Sequence, residues 1–288
     1  MRTLRWGELH EISTIFHYIF MTKIKGNCIL ITGGASGIGR IMGRKALEMG
    51  ARQLVIWDIN QENIESTKQE LKSLGNVKGY RIDISDTNAV AETFSQTTKE
   101  CGNVDILINC AGIITSNRHF AEMSQQEIDR TIAINSVAPM AIALQALPPM
   151  LERNFGHICN IASAGGFIAN PRMSVYAASK WAVIGWSDSL RVELQETKSN
   201  VKVTTIAPYY INTGMFDGVR SRIIPILKPE WVAKKILQAI EKNKKISSWP
   251  LGYHLIRTLQ ALLPLRGLDL LCTGLGIYSA LDHFKGRK

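Results

Sequence analysis

The sequence predicts an α/β protein: a single doubly wound domain with a mainly parallel sheet of six or seven strands and helices on both faces. Two observations predict this class. From Cys28 onward, short apolar β-branched runs alternate with helix-length periodic segments, which is the pattern of βαβ units. No linker rich in Pro, Gly or Ser and no internal repeat interrupts the 288 residues, so one domain is favoured over two.

Each candidate strand is a short apolar run between two helical patterns. The runs are Cys28–Thr32, Gln53–Asp58, Ile106–Asn109 and His157–Ile161, together with residues 77–83 and 202–207, and residues 246–249 form the seventh. On this basis residues 26–250 form the α/β domain, residues 1–25 an N-terminal extension and residues 251–288 a Leu-rich helical extension.

The composition excludes several classes of protein. Hydrophobic residues make up 45% and charged residues 20% of the chain, which is typical of a globular protein and not of a disordered one. No uninterrupted apolar run reaches the roughly 18–20 residues of a membrane-spanning helix, and the stretch 12–20 is too short. The net charge of +10 comes from scattered Lys and Arg without a nucleic-acid module, so we expect no nucleic-acid partner. It suits a phosphate-bearing cofactor or an anionic membrane surface.

Cysteines and histidines show no metal-site spacing. The five cysteines are far apart, and the six histidines lack the close pairs that metal ligation uses. We therefore expect no metal and reduced, packed thiols. With no cleavable signal pattern at the start of the sequence, a cytoplasmic location is expected, with peripheral membrane contact as an addition to it.

A glycine-rich turn follows the first candidate strand. Gly33, Gly37 and Gly39 occupy the first, fifth and seventh positions of the turn, just before a helical pattern. Missing Cβ atoms allow a phosphate to approach the backbone, and the amino end of the helix favours an anion. The alternative is a loop that only reverses the chain. The sequence therefore predicts a pyrophosphate site here.

Asp58 ends the next candidate strand, about 20 residues after the turn. A carboxylate there accepts hydrogen bonds from the adenosine ribose of a dinucleotide. It would also repel a 2′-phosphate by about 1–4 kcal/mol, so NAD is expected in preference to NADP. Arg40 and Arg52 lie close in sequence and keep NADP open as the alternative, and a strand-end Asp that only caps a turn is the structural alternative.

Tyr176 and Lys180 lie four residues apart in a helical pattern, which puts the phenol and the ammonium on one face. A nearby positive charge stabilises a phenolate, so the pair suits proton transfer near neutral pH. Ser163 follows the fifth candidate strand, at the sheet edge where α/β proteins bind ligands. Each signal is weak alone, but their order after the glycine turn favours an alcohol/ketone oxidoreductase.

Together these motifs resemble the short-chain dehydrogenase/reductase (SDR) family, from about residue 25 to residue 249, and imply a Rossmann-type fold. The resemblance implies that Tyr176 is the acid/base, that Ser163 positions the substrate oxygen, and that Lys180 binds the nicotinamide ribose and lowers the pKa of Tyr176. Asn135 would hold a water for proton relay. The implied cofactor-binding residues are Thr32, Gly33, Ser36, Gly37, Ile38, Gly39, Asp58, Asp83, Ile84, Asn109, Ala111, Gly112, Tyr176, Lys180, Pro208, Ile211 and Thr213.

The chain departs from the family pattern twice. Cys110 stands second in the motif Asn109-Cys110-Ala111-Gly112, where the family has Asn, and Tyr209 follows Pro208, where the family has Gly. We expect the first change to affect local packing. The second affects the backbone path beside the nicotinamide.

The substrate side resembles the retinol dehydrogenase and 17β-hydroxysteroid dehydrogenase-like branch, on residues 57–60, 213–218 and 281–284. This implies a lipophilic alcohol or carbonyl substrate: a retinoid, a hydroxysteroid or a long-chain alcohol/aldehyde. The expected substrate-contacting residues are Ser163, Gly165, Tyr176, Met215 and Phe216. The apolar stretch after Thr213 either covers the substrate or packs permanently in the core, because pocket and core linings share composition.

Two alternative functions remain. A cofactor sensor or scaffold on the same fold would keep the nucleotide site without the chemistry, but the intact set of four residues argues against it. An epimerase or dehydratase is disfavoured because such relatives space the glycines differently.

The extension after residue 250 packs its leucines on the protein or lies on a membrane, and Pro264 and Gly267 should break it into two short helices. By resemblance, helical segments 125–150 and 176–196 pair in a homodimer or homotetramer, near Trp181 and Trp186.

Overall fold

The fold is the doubly wound α/β domain that the sequence predicts. A computed structural model describes residues 21–221, 224–250 and 252–286. Seven parallel strands form one sheet in the order β3-β2-β1-β4-β5-β6-β7. The strands are β1 Cys28–Thr32, β2 Gln53–Asp58, β3 Val77–Arg81, β4 Ile106–Asn109, β5 His157–Ile161, β6 Lys202–Ile206 and β7 Ile246–Ser247.

Helices connect the strands and cover both faces of the sheet. In chain order they are α1 Gly37–Glu48, α2 Gln61–Leu71, α3 Thr87–Cys101, α4 Gln125–Ile132, α5 Ala138–Glu152, α6 Ser174–Glu196, α7 Pro229–Glu241, α8 Tyr253–Leu262 and α9 Leu265–Gly274. A π-helical turn, Ala133–Val137, joins α4 to α5. Strand β3 ends two residues earlier than expected, because its neighbour β2 ends opposite Arg81.

The core has one layer on each face of the sheet, and alternation along β1 shows why. Ile29 and Ile31 join one buried cluster, with side chains of α1, α2 and α7. Cys28 and Leu30 point the other way, into a cluster with α3, α5 and α6. Because both faces are covered, all five residues of β1 are buried, which explains why the strand reads as a continuous apolar run.

The strand order reverses at β1, which lies between β2 and β4. Helices on the two sides diverge at such a point, and a crevice opens beyond the carboxyl ends of the strands. The glycine turn, Asp58 and the residues after β4 and β5 all meet there. Topology therefore gathers at one edge the residues that the sequence analysis singled out.

The segment before β1 that the structure describes packs on the domain. Thr22 Oγ1 lies 2.9 Å from His157 Nδ1, and Ile24 is fully buried in the first core layer. The stretch 12–20 lies outside the described residues. The boundaries proposed at residues 25 and 250 stay predictions.

The extension after residue 250 forms two helices, α8 and α9, as expected. The break falls at Leu263 and Pro264, whereas Gly267 lies inside α9. Ile256 and Cys272 face the domain and are buried, and Gln260 donates a hydrogen bond to the Phe167 carbonyl. The extension is thus attached to the protein along one side.

One helical run, Gln125–Glu152, is long and apolar enough to cross a membrane by length and composition, in the part of the chain that the structure describes. Half of its most apolar window is buried inside the domain. Packing inside the domain accounts for the apolar residues in the buried half.

Candidate active site

The glycine turn is a close-packed cradle at the amino end of α1. Gly33 and Gly37 have φ values of +65° and +51°, which side chains rarely adopt. A Cβ on Gly39 would lie 2.2 Å from the Gly33 carbonyl oxygen, so only glycine fits there. The first N–H groups of α1 have no partner within the helix, and the helix dipole favours an anion beside them. These features fit a dinucleotide pyrophosphate.

Thr32 joins the ends of two strands rather than lining the cleft. Its buried Oγ1 accepts hydrogen bonds from the N–H groups of Cys110 and Ala111, at 3.0 and 3.1 Å. Asn109 is also buried, and its Nδ2 donates to Asn160 Oδ1 at 2.8 Å. Neither residue lines the cleft, and their expected contact with the cofactor stays a prediction.

Two carboxylates stand along the cleft. Asp58 Oδ2 accepts a hydrogen bond from the Ala35 N–H at 3.1 Å, which ties β2 to the glycine turn. Asp83 Oδ1 accepts hydrogen bonds from the hydroxyl and N–H of Ser85, and these lower the pKa of the Asp83 carboxyl. Asp83 therefore stays charged at neutral pH.

The basic residues that were considered for a 2′-phosphate lie elsewhere. Arg40 pairs with Glu70 at 3.5 Å. Arg52 precedes β2, at the far end of the sheet, where it lies 3.5 Å from Asp105. Neither lines the cleft. Arg130 does, and no sequence motif marked it, because it comes from α4, far from the strand ends.

Ser163 and Tyr176 lie next to each other, where interaction with the Ser163 hydroxyl acts to lower the pKa of the Tyr176 phenol. Ser163 follows β5 and caps a short 3₁₀ turn, where its Oγ accepts a hydrogen bond from the Gly165 N–H at 3.1 Å. Tyr176 lies in the first turn of α6. Two hydroxyls thus come from different elements to one point, where they can hold and protonate one oxygen atom.

Lys180 lies one turn further along α6, buried, with Nζ 5.8 Å from the centre of the Tyr176 ring. The ammonium donates a hydrogen bond to the Ile161 carbonyl at 3.0 Å. Burial raises the pKa of Tyr176 to about 12, although the interaction with Ser163 lowers it, and burial lowers the pKa of Lys180 to about 8. Desolvation, which spacing does not show, sets the direction of the Tyr176 shift in this structure, and the expected lowering of its pKa by Lys180 stays a prediction.

Asn135 lies in the π-helical turn and is buried. Its Oδ1 accepts a hydrogen bond from the Ile113 N–H at 2.8 Å, and its Nδ2 donates to the Ile113 carbonyl and to Ser179 Oγ. The side chain therefore fixes the segment after β4 against α6. The expected role in holding a water stays a prediction.

Two adjoining cavities meet at these side chains. The larger is a cleft of about 1350 Å³, open to solvent. Of the expected site residues, those lining it are Gly33, Ser36, Gly37, Ile38, Gly39, Asp58, Asp83, Ile84, Ala111, Gly112, Ser163, Tyr176, Lys180, Pro208, Ile211, Thr213, Met215 and Phe216. Thr32, Asn109 and Asn135 lie behind its walls.

The smaller cavity is a narrow chamber beside Ser163 and Tyr176, of about 440 Å³ including the solvent space at its opening. Gly165 and Phe216 line it, as expected for substrate contacts, whereas Met215 lines only the cleft. Sequence analysis did not assign the remaining lining residues, which are Ala164, Ile168, Asn170, Met173, Ala177, Tyr209, Tyr210, Ile277 and Leu281. They come from four separate segments, and only Leu281 lies in a stretch, 281–284, that the sequence analysis had connected with the substrate side.

Comparison with known proteins identifies the family. The model of the short chain dehydrogenase family matches residues 27–223. The chain belongs to the short-chain dehydrogenase family. It is 33% identical to epidermal retinol dehydrogenase 2 of Mus musculus over 95% of this chain and 91% of that protein. It is also 33% identical to 17-beta-hydroxysteroid dehydrogenase 13 of Homo sapiens, over 93% and 90% respectively.

A solved structure supports the same assignment. A metagenomic short-chain oxidoreductase in complex with NADP superposes with a TM-score of 0.67 and 26% identity, over 79% of this chain and 96% of that one. As a short-chain dehydrogenase, this chain is an NAD(P)-dependent oxidoreductase that acts on CH–OH groups.

The geometry accommodates that chemistry. A nicotinamide cofactor, when bound, would supply or accept a hydride. The protein offers a glycine cradle, a carboxylate on the cleft wall and a buried phenol beside the Ser163 hydroxyl. Lys180 lines the same cleft, with its ammonium 5.8 Å from the centre of the phenol ring.

Proposed function

We propose that this short-chain dehydrogenase oxidises or reduces a lipophilic alcohol or carbonyl compound of the retinoid, hydroxysteroid or long-chain class, with NAD as its preferred cofactor. One observation carries the proposal. The Ser163 and Tyr176 hydroxyls lie where the dinucleotide cleft adjoins a chamber lined mainly by apolar and aromatic side chains. A lipophilic substrate bound in the chamber presents its oxygen to both hydroxyls. The names of the relatives agree with these classes.

A substrate panel tests this proposal. Purified protein is incubated with NAD or NADP and with retinol, a hydroxysteroid and a long-chain alcohol, and reduced cofactor is followed by absorbance. We expect turnover with at least one of the three. Dinucleotide binding without turnover of any alcohol, or of the matching carbonyl compounds with reduced cofactor, would favour the sensor or scaffold instead.

We assign the proton transfer to Tyr176, orientation of the substrate oxygen to Ser163, and contact with the nicotinamide ribose to Lys180. Asn135 supports the segment that follows β4, through its two hydrogen bonds with Ile113. Their mutual contacts support these roles, since Ser163 lies next to Tyr176 and Asn135 bonds Ser179, the neighbour of Lys180.

The preference for NAD rests on Asp58. Its carboxylate lines the cleft one strand away from the glycine turn, whereas Arg40 and Arg52 do not line it. We expect Asp58→Ala to reduce the ratio of kcat/KM for NAD to that for NADP by about fivefold or more, because a contact charge is worth about 1–4 kcal/mol. A wild-type preference for NADP would show that Arg130 outweighs Asp58.

We propose that the outer side of the α8–α9 hairpin lies on an anionic membrane surface. Leu255, Leu262, Leu265 and Leu270 are 52–80% exposed there, and Arg257 and Arg266 add positive charge. Exposed apolar side chains flanked by basic residues suit an anionic bilayer, in which lipophilic substrates also dissolve.

Flotation with phosphatidylserine vesicles tests membrane contact. The triple variant Leu262→Ser, Leu265→Ser, Leu270→Ser should lose binding. The control Leu144→Ser, at an equally exposed leucine of α5, should keep it. Equal flotation of both variants, or none by wild type, would leave the hairpin only its packing role.

We propose self-association through α5 and α6. Val137, Leu144, Trp181 and Val192 are exposed on or beside these helices, whereas Trp186 turns partly into the core. A dimer or tetramer would bury this apolar surface. Light scattering should give a multiple of 32.0 kDa for wild type and a smaller mass for Leu144→Asp. A monomeric wild type at micromolar concentration would contradict this.

A further inference from the structure

Four residues line both the cofactor cleft and the substrate chamber: Ser163, Tyr176, Tyr209 and Phe216. The two cavities therefore meet in a passage framed by the reacting hydroxyls and by two further aromatic rings. Any substrate carbon that reaches the cofactor must pass beside those rings. The mechanism uses Ser163 and Tyr176 but gives no role to Tyr209 and Phe216.

Tyr209 is held firmly in this position. Its N–H donates a hydrogen bond to the Trp249 carbonyl at 3.0 Å. Its ring lies 4.5 Å from the Tyr210 ring, centre to centre, and its hydroxyl oxygen lies 3.4 Å from Ser221 Oγ. The side chain also packs against buried residues of both the sheet and the C-terminal extension. Contacts on several sides restrict the ring, so it cannot swing aside freely.

Phe216 closes the passage from the direction of Tyr176. The two ring centres are 6.2 Å apart and nearly perpendicular, which is an edge-to-face contact. Phe216 also contacts Tyr210, at 5.0 Å. The aromatic rings thus pack against one another around the reacting phenol, and little width remains beside it.

We infer that Tyr209 is a specificity-determining residue, whose ring admits a reacting carbon at the end of a slender chain and disfavours one held in a ring system. The inference rests on the proposed function and narrows its substrate class to primary alcohols and aldehydes. Glycine, which the family pattern has at this position, would leave the space beside the reacting carbon open. A clash with one substrate shape is an effective way to select another.

A matched pair of substrates tests the inference. Decanol carries its hydroxyl at the end of a chain, and cyclodecanol carries it on a ring of equal carbon number. We expect wild-type protein to favour decanol in kcat/KM. Tyr209→Ala should shift the ratio toward cyclodecanol by about 10–200-fold, the range that small changes of pocket shape produce. Tyr209→Phe, which keeps the ring and loses the hydroxyl beside Ser221, should keep the wild-type ratio.

The outcomes separate the two proposals. Turnover of neither alcohol, nor of other lipophilic alcohols, would overturn the proposed function. Turnover of both with the same ratio in wild type and Tyr209→Ala would overturn only the inference. If circular dichroism shows that Tyr209→Ala is unfolded, Tyr209→Leu is measured instead. Leucine keeps an apolar side chain at this position but removes the aromatic ring. An unchanged ratio in that folded variant would contradict the inference equally.

Discussion

The cofactor cleft and the substrate chamber adjoin, yet they are built differently. The cleft takes most of its walls from residues at or just after the carboxyl ends of β1 to β6, and it contains the charges of Asp58, Asp83, Arg130 and Lys180. The chamber is assembled from segments up to about 120 residues apart, and its lining is mainly apolar and aromatic, without a charged side chain. Backbone geometry defines the first region, and side-chain packing defines the second.

This difference predicts which substitutions reduce activity and which alter substrate choice. A substitution in the cleft disturbs a turn or a charge that the chemistry needs. A substitution of a chamber residue other than Ser163 and Tyr176 alters shape and leaves the reacting groups in place. Activity should therefore depend on the cleft, and substrate choice on the chamber.

The largest effect on activity is expected for Tyr176→Phe. The ring still packs against Phe216, but the exchangeable proton is lost, so kcat should fall by about 10²–10⁴-fold. The dissociation constant for NAD, measured by fluorescence titration, should stay within a few fold of wild type. A variant that keeps more than a tenth of the wild-type rate would contradict the role of Tyr176.

Gly39→Ala tests whether backbone geometry defines the cleft. The new Cβ would meet the Gly33 carbonyl oxygen, and such overpacking costs about 1–3 kcal/mol, or roughly 5–150-fold in affinity for the dinucleotide. The control is Gly274→Ala in α9, where a Cβ would have no neighbour within 4 Å and binding should not change. Equal affinities in both variants would show that the cradle is not essential.

A pH profile tests the charge in the cleft. Burial lowers the pKa of Lys180 to about 8 and raises that of Tyr176 to about 12. In carbonyl reduction Tyr176 is protonated throughout the accessible range, so kcat/KM for the cofactor, which reports the free enzyme, should fall as pH rises through about 8 and Lys180 loses its proton. In Lys180→Arg the fall should disappear, because guanidinium stays protonated. A wild-type kcat/KM for the cofactor that stays constant up to pH 10 would contradict this prediction.

The smallest expected effect lies away from both cavities. His157 is fully buried between Thr22 and Thr204, and burial lowers its pKa to about 3 from the usual 6.5. Below pH 6.5 the unfolded chain takes up a proton that the folded chain refuses, so stability falls as pH falls toward 3. Between pH 7 and 5 the unfolding free energy from denaturant titration should drop by about 2 kcal/mol. His157→Gln should reduce that drop, and identical pH dependence of the two proteins would exclude the effect.

Sequence reasoning was most successful where function depends on local order. The strands, the glycine turn, Asp58 and the Tyr176–Lys180 spacing are all short-range patterns, and the structure gathers them at one edge of the sheet. Sequence reasoning could not show that Thr32 and Asn109 lie behind the wall of the cofactor cleft, because their hydrogen-bond partners come from other strands or from the residues that follow them. Met173, Tyr210 and Ile277 were missed as chamber residues for a related reason. Apolar residues carry no signal that separates a pocket lining from a core.

The most direct measurement is hydride transfer itself. A primary lipophilic alcohol deuterated at its reacting carbon is mixed with NAD and protein in a single turnover, and the reduced cofactor is analysed by mass spectrometry. The account predicts one deuterium in the nicotinamide ring, formed together with the aldehyde. Aldehyde formation without deuterium in the cofactor would contradict direct transfer between the chamber and the cleft.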